Sequence, residues 1–452
     1  MHRLSVLAAQ AALCVLVSAS PAFALNPPEG DWQWTAPYAA ADPVGRFQTL
    51  TPGPAGSVYV AGDAWATQWV VSRVDTAAGA ELWSRTTRGP QDLGASPQAA
   101  AGDRAGNLIV AGHAETGNDD IYVVKYKPSG DVQWQKSWAG PDNLSDRAWS
   151  VAVDRAGNAL VAGEIGRPGG YSDAVLLKYD PAGRLKWKYV LATPLFDRFA
   201  QVACDGAGNA YVTGIRAGSM ESAEMVTLKV NAYGRRVWMR TIRGLGVSYD
   251  GMHLRVKGDA VYVAGALYKN GMWPIVAKYT LAGRLVWERA DGNSLQSVDD
   301  MAVDSKGRVV TVGSFRASLV ASNVVTTAFV YVYAADGRSL WASAMYYMDL
   351  GPTTRYPARF NKVVLDSTDA MYCAGGWDTS GTGAEANAIV VRFAPLDVAG
   401  WNAEKVWRYD GPASGIDEFL GLLRVSDTEI VAAGTRITGG GAQGILDRLA
   451  LP

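Results

Sequence analysis

The sequence predicts an all-β fold: an eight-bladed β-propeller of four-stranded antiparallel blades, its ring closed by the N-terminal strand completing the last blade. Three observations predict it. An apolar strand ending in Gly recurs eight times, at Gly62, Gly112, Gly163, Gly214, Gly265, Gly313, Gly375 and Gly434. The spacings are 50, 51, 51, 51, 48, 62 and 59 residues, the period of architectures with one small sheet per repeat. In the first seven repeats this strand is followed by another strand, a tight turn and a Trp. Finally, the two ends of the chain are complementary. The eighth repeat stops after three strands, whereas Asp31-Trp32-Gln33-Trp34 forms a Trp strand with no three strands before it. Joining them leaves no open sheet edge between the ends.

Residues 1–24 are set apart from the fold. Arg3, a mostly apolar stretch from Leu4 to Val17, and Ala22-Phe23-Ala24 read as a secretory signal peptide cleaved after Ala24. Its apolar core is shorter than the ~20 residues a bilayer span needs, and no later run approaches that length. The expectation is a secreted or periplasmic protein with no membrane span. Residues 25–452 are expected to form a single propeller domain, since a circular array holds this length as one unit.

Repeat 3 shows the pattern most clearly, in residues 148–191. Apolar residues alternate or run for four to seven positions, rich in β-branched and aromatic types, and helical spacing is not sustained. Asp154-Arg155-Ala156-Gly157 joins the first two strands, and the same D-x-x-G recurs at Asp103, Asp205 and Asp304. An Asp opening the turn and a Gly in the left-handed position close a tight hairpin. A second turn, Asp180-Pro181-Ala182-Gly183, leads into the Trp strand. Each repeat is thus a four-stranded meander, the unit of a propeller blade. Small residues such as Ala99-Ala100-Ala101 place the first strand beside the central channel. Trp83, Trp134, Trp187, Trp238, Trp287, Trp341, Trp407 and Trp34 mark the outermost strand.

These residues resemble two known families. The D-x-x-G-N turn, the Y-V-A-G or L-V-A-G strand and the V-x-K-Y-D-x-x-G-x-x-x-W run are similar to the bacterial seven-bladed β-propeller repeat group. Asp75-Thr76-Ala77-Ala78-Gly79-Ala80-Glu81-Leu82-Trp83 resembles the tryptophan-docking repeat of the pyrroloquinoline quinone dehydrogenase family. The resemblance covers almost all of residues 25–452. It implies a propeller and no particular activity, because a fold of this kind serves many functions. Quinone enzymes of that family would imply a bound quinone with calcium and often an adjacent cysteine pair. This chain has no adjacent cysteines and no assignable calcium ligand set, so neither cofactor is carried over.

Composition narrows the partners. Removal of residues 1–24 leaves 41 Lys plus Arg against 43 Asp plus Glu, and no basic stripe is evident, which argues against nucleic acid. Cys204 and Cys373 lie in distant repeats inside apolar strands and read as small hydrophobes. The two remaining histidines, His113 and His253, lie three repeats apart, too sparse for a histidine metal site.

The recurring residues have structural readings. One Trp per blade at a fixed position is a packing residue. The basic series Arg73, Lys125, Lys178, Lys229, Lys278, Arg392 and Arg448 is expected to pair with turn carboxylates such as Asp75 and Asp180. Candidate function falls elsewhere, on the face carrying the longer connections, because the two tight turns of every blade lie on the opposite face. Asp146, Asp197 and Asp250 stand where the chain enters the innermost strands. Two readings remain open for them: a cluster that binds a cation or supplies an acid and base, or local bonding of loop amides. Repeats 6 and 7 carry extra length, and with it Tyr346, Tyr347, Asp349, Arg355, Tyr356, Arg359, Trp377 and Asp378. Aromatic and Arg residues on long loops suit partner binding, while loop padding costs little. The sequence reading is therefore an exported, non-catalytic scaffold that binds a protein or glycan partner. The alternative is an extracellular enzyme, either quinone-dependent or polysaccharide-cleaving through channel-mouth carboxylates. No metal site is assigned.

Overall fold

The computed structural model describes residues 32–37, 46–64, 68–217, 223–243, 246–247, 252–268, 272–290, 296–320, 323–345, 358–378, 386–394, 403–409, 416–438 and 441–450. These residues form eight antiparallel sheets, one per repeat. Blade 3 is representative, with strands Asp146–Val153, Ala159–Arg167, Tyr171–Tyr179 and Leu185–Leu191 paired in chain order. Blade 5 differs, because Gly246–Val247 and His253–Lys257 both pair with Ala260–Tyr268, which splits its innermost strand in two. Blade 8 takes three strands from the end of the chain, Asp417–Arg424, Glu429–Thr438 and Gly441–Ala450, and its outer strand from Trp32–Pro37. Trp34 lies opposite Arg448 and Pro37 opposite Ile445.

The core sits between blades. Ile109, Ile121 and Val123 of blade 2 pack with Val161, Val175 and Leu177 of blade 3, and comparable clusters join every neighbouring pair. One of them joins blade 8 (Val431, Ala433, Leu446) to blade 1 (Phe47, Val58, Val60).

The recurring Gly of the second strand has a backbone cause. In blades 1, 2, 3, 4, 6, 7 and 8 the innermost strand carries a bulge opposite it, for example between Ala148 and Ser150 or Phe199 and Gln201. A Cβ at Gly163 would lie 2.0 Å from the Arg147 carbonyl oxygen, and one at Gly214 would lie 1.9 Å from that of Arg198. The bulge brings the inner strand against the glycine's Cα, and only Gly fits.

The Trp series docks one blade on the next. The Trp134 indole N–H donates to the Pro181 carbonyl at 3.0 Å, Trp187 to Ala232 at 2.9 Å, and Trp238 to Leu281 at 3.1 Å. The turn glycine of the next blade lies flat on each ring, at φ +78° for Gly183 and +81° for Gly283.

The basic series pairs differently from the sequence expectation. Lys125 meets Asp103 at 2.9 Å and Lys178 meets Asp154 at 2.8 Å, all four side chains buried; Lys229 lies 3.8 Å from Asp205. The partner is the Asp of the first hairpin, because Lys178 lies across from Leu160, two residues past that turn. Asp75 instead caps the amides of Ala77 and Ala78, and Asp180 binds Arg184.

Candidate binding face at the channel mouth

The innermost strands line a central cavity of about 860 Å³. At its turn-side end polar groups are taken up locally: Asp304 binds Arg308, Ser305 binds Asp369, and the Lys257 ammonium donates to the Val303 carbonyl at 2.7 Å. The opposite end, where the inner strands begin, is the mouth on the long-connection face.

Asp146 and Asp197 open the inner strands of blades 3 and 4 and are fully buried. Asp146 accepts the Gly140 amide and, at 2.9 Å, the Gly166 amide. Burial pushes its carboxyl up to about 6 against those two hydrogen bonds. Asp197 accepts the Thr193 amide and hydroxyl and the Ala217 amide, and burial likewise raises it. Each carboxylate thus fixes the connections on either side of its own strand. Asp417 occupies the corresponding buried position in blade 8.

Asp250, Tyr346, Tyr347, Asp349, Arg355 and Tyr356 lie outside the described residues. Arg359, Trp377 and Asp378 fall within strands rather than inserted loops. Asp378 ends the strand Met371–Asp378. Trp377 is buried between blades 6 and 7, with the Arg408 guanidinium 4.2 Å from its ring centroid. Arg359 is the second residue of Ala358–Leu365, at the mouth, with its side chain half exposed.

Arg359 belongs to a register that the sequence reading missed. Arg46, Arg147, Arg198 and Arg359 each stand sixteen residues before the second-strand Gly of their blades. Their carbonyls are the ones those glycines accommodate, so backbone geometry places all four at one level of the mouth. Acidic and aromatic neighbours orient three of them. Arg147 binds Asp119 at 2.6 Å, Arg359 binds Glu418 at 2.8 Å, and the Arg198 guanidinium lies 4.9 Å from the Trp149 ring centroid. Glu164 stands across from Arg147. Burial raises its carboxyl despite the nearby Arg198, the Trp149 indole and Arg147.

Below the mouth, one channel wall carries a charge network. Asp300 receives Arg255 at 2.8 Å and the Val363 amide at 3.1 Å, with His253 Nδ1 at 3.7 Å. Burial raises the Asp300 carboxyl, but Lys362, Arg255 and His253 outweigh it and hold the group below its ordinary value. His253 contacts the Val298 carbonyl through Nε2 at 3.2 Å, and burial pushes its pKa down to about 4. A neutral imidazole beside an already paired carboxylate holds the wall together and is poorly placed to relay protons. Among the described residues no group of three or more His, Cys, Asp or Glu side chains converges as a metal site, and no helix is long and apolar enough to cross a membrane.

No family model matches the chain, and no curated protein matches it. Among solved structures it is similar to Sqt1 from Chaetomium thermophilum, at 13% identity and a TM-score of 0.54, covering 94% of this chain and 100% of that one. It is also similar to the Dos1 propeller, at 9% identity and a TM-score of 0.53, with 94% of each chain covered. A quinohemoprotein alcohol dehydrogenase from Pseudomonas putida HK5 superposes at 11% identity and a TM-score of 0.56, over 93% of this chain and 76% of that one. At these identities the likeness establishes the architecture alone: the chain is a β-propeller.

Proposed function

We propose that the chain is an exported, non-catalytic scaffold that holds a protein partner on its long-connection face. The observation that carries this reading is the arginine register at the mouth. The bulge geometry sets its four backbone positions at one level, and Asp119, Trp149 and Glu418 orient the guanidiniums of Arg147, Arg198 and Arg359. Arg and Trp are the residue types that anchor protein interfaces, and preorganised side chains lose little entropy on binding. A glycan would need open aromatic faces, whereas at the described mouth the Trp149 ring carries the Arg198 guanidinium at 4.9 Å and Trp377 is buried with Arg408 at 4.2 Å. Export rests on residues 1–24, and the reading assigns no cofactor.

The test is a thermal-shift screen of the purified mature protein against calcium, a quinone and a glycan panel, followed by activity assays on any hit. The scaffold reading expects no turnover. Stabilisation by a glycan would change the partner class, and turnover of any substrate would replace the reading with the enzymatic one.

A further inference from the structure

The turn face is not uniform around the ring. In blades 3–6 the turn glycine is followed by arginine: Gly183-Arg184-Leu185-Lys186, Gly234-Arg235-Arg236-Val237, Gly283-Arg284-Leu285-Val286 and Gly337-Arg338-Ser339-Leu340. Blade 1 has Ala80-Glu81 and blade 2 has Asp131 there. Each of the four turns docks on the preceding blade through the same indole-to-carbonyl hydrogen bond, at 2.9–3.1 Å. This repeat sets their tips at one level along a continuous arc.

The arc interleaves two kinds of exposed side chain. Arg184, Lys186, Arg235, Arg236, Arg284 and Arg338 are exposed. Between them lie Leu185, Leu285, Val286 and Leu340 at 39–46% exposure, Val237 at 56% and Tyr233, on a turn tip, at 84%. Only two acids belong to these turns: Asp180 is held by Arg184, and Asp336 caps the Arg338 amide. A chain with a formal charge of -1 overall thus concentrates basic groups on one sector of this face; the exposed apolar register continues into blades 1 and 2 through Leu82 and Val132, where Glu81 and Asp131 stand beside it in place of arginine.

We propose that this arc docks peripherally on a bilayer containing anionic phospholipid. Apolar side chains set at one level among basic ones enter the headgroup boundary while guanidiniums bind phosphate oxygens. A lipid surface is favoured over an acidic protein because basic and apolar groups repeat over four blades at a single level, which suits a planar partner of repeating phosphates. The arc lies opposite the arginine mouth, so a docked protein would still present its long-connection face, and the two proposals stand or fall separately.

The experiment is co-sedimentation of the mature protein with vesicles of phosphatidylcholine alone, or with about 30% phosphatidylglycerol. Binding is expected only to the anionic vesicles, with loss at about 0.5 M salt. Removing Arg235 and Arg236 as a glutamine pair is expected to weaken it about 5-fold per charge. A Tyr233→Ser/Val237→Ser pair should weaken binding with all charges intact, whereas Arg85→Gln in blade 1 should leave it unchanged. Thermal melts of each variant establish that it is folded. Absence of sedimentation with anionic vesicles, or binding indifferent to the glutamine pair, would overturn the proposal. Binding of soluble polyglutamate that is indifferent to the serine pair would overturn it in favour of an acidic protein.

Discussion

A Cβ at position 283 would lie 2.6 Å from the Trp238 ring, on backbone at φ +81°. Gly283→Ala therefore combines left-handed strain with overpacking and is expected to cost about 2–4 kcal/mol, read as a lower midpoint in denaturant. A buried ion pair makes a second prediction. Lys178→Met strands the Asp154 carboxylate and should cost about 3–5 kcal/mol, whereas adding Asp154→Asn should recover part of that loss; unfolding curves of the single and double variants decide. The same pairs set an acid limit. Burial raises the Asp103 and Asp154 carboxyls, but hydrogen bonds from Asn107 and Lys125, and from Lys178 and Asn158, outweigh it and hold them below 3.8. The folded state thus binds fewer protons than the unfolded state in the window below that value. Their contribution is present above the unfolded pKa and is lost as pH falls through the folded ones. Below the unfolded value of 3.8, where the raised Asp146 carboxyl is already protonated in the folded state, thermal midpoints should fall with pH, and less steeply in the Asp154→Asn variant.

At the scale of the element, strands, hairpins and the role of Trp were legible because each has a local cause: D-x-x-G closes a turn, alternation makes a strand, and one Trp per period must pack. The arginine register was not read, because the bulge inserts one residue into the inner strand and flips the phase of alternation. Arg147 and Val151 then cannot be assigned to faces by counting twos. The partner of Lys178 was missed for a related reason: Asp180 is nearer in sequence, but strand pairing brings the lysine to Asp154. Arg359 and Trp377 were read as parts of long loops, yet the regular register of blade 7 runs through both. The strand Trp32–Pro37 yields a further prediction. Its five register pairs with the last strand are worth about 1–5 kcal/mol, and removing residues 25–37 also exposes an apolar edge. The truncated protein should melt earlier and aggregate on heating, as followed by light scattering.

The whole molecule divides its labour by face. Turn carboxylates, the buried lysines of blades 2 and 3 and the Trp-docked glycines of blades 2–6 lie on one face, and the arginines of blades 1, 3, 4 and 7 lie at the mouth on the other. The wall from His253 to Lys362 stiffens the channel between them. Asp146 and Asp197, the most promising acids in the sequence, hold the connections that frame the mouth. That arrangement makes the mouth a rigid presenting surface. The most direct test places a photo-reactive amino acid at Arg359, at the mouth, and separately at Glu81, on the turn face outside the basic arc, with irradiation in the cells that make the protein. A discrete protein adduct at position 359, absent at position 81 and lost when Arg147 and Arg198 are both changed to Glu, is the predicted result. Absence of any adduct at position 359, or an equal adduct at both positions, would contradict a partner-binding long-connection face.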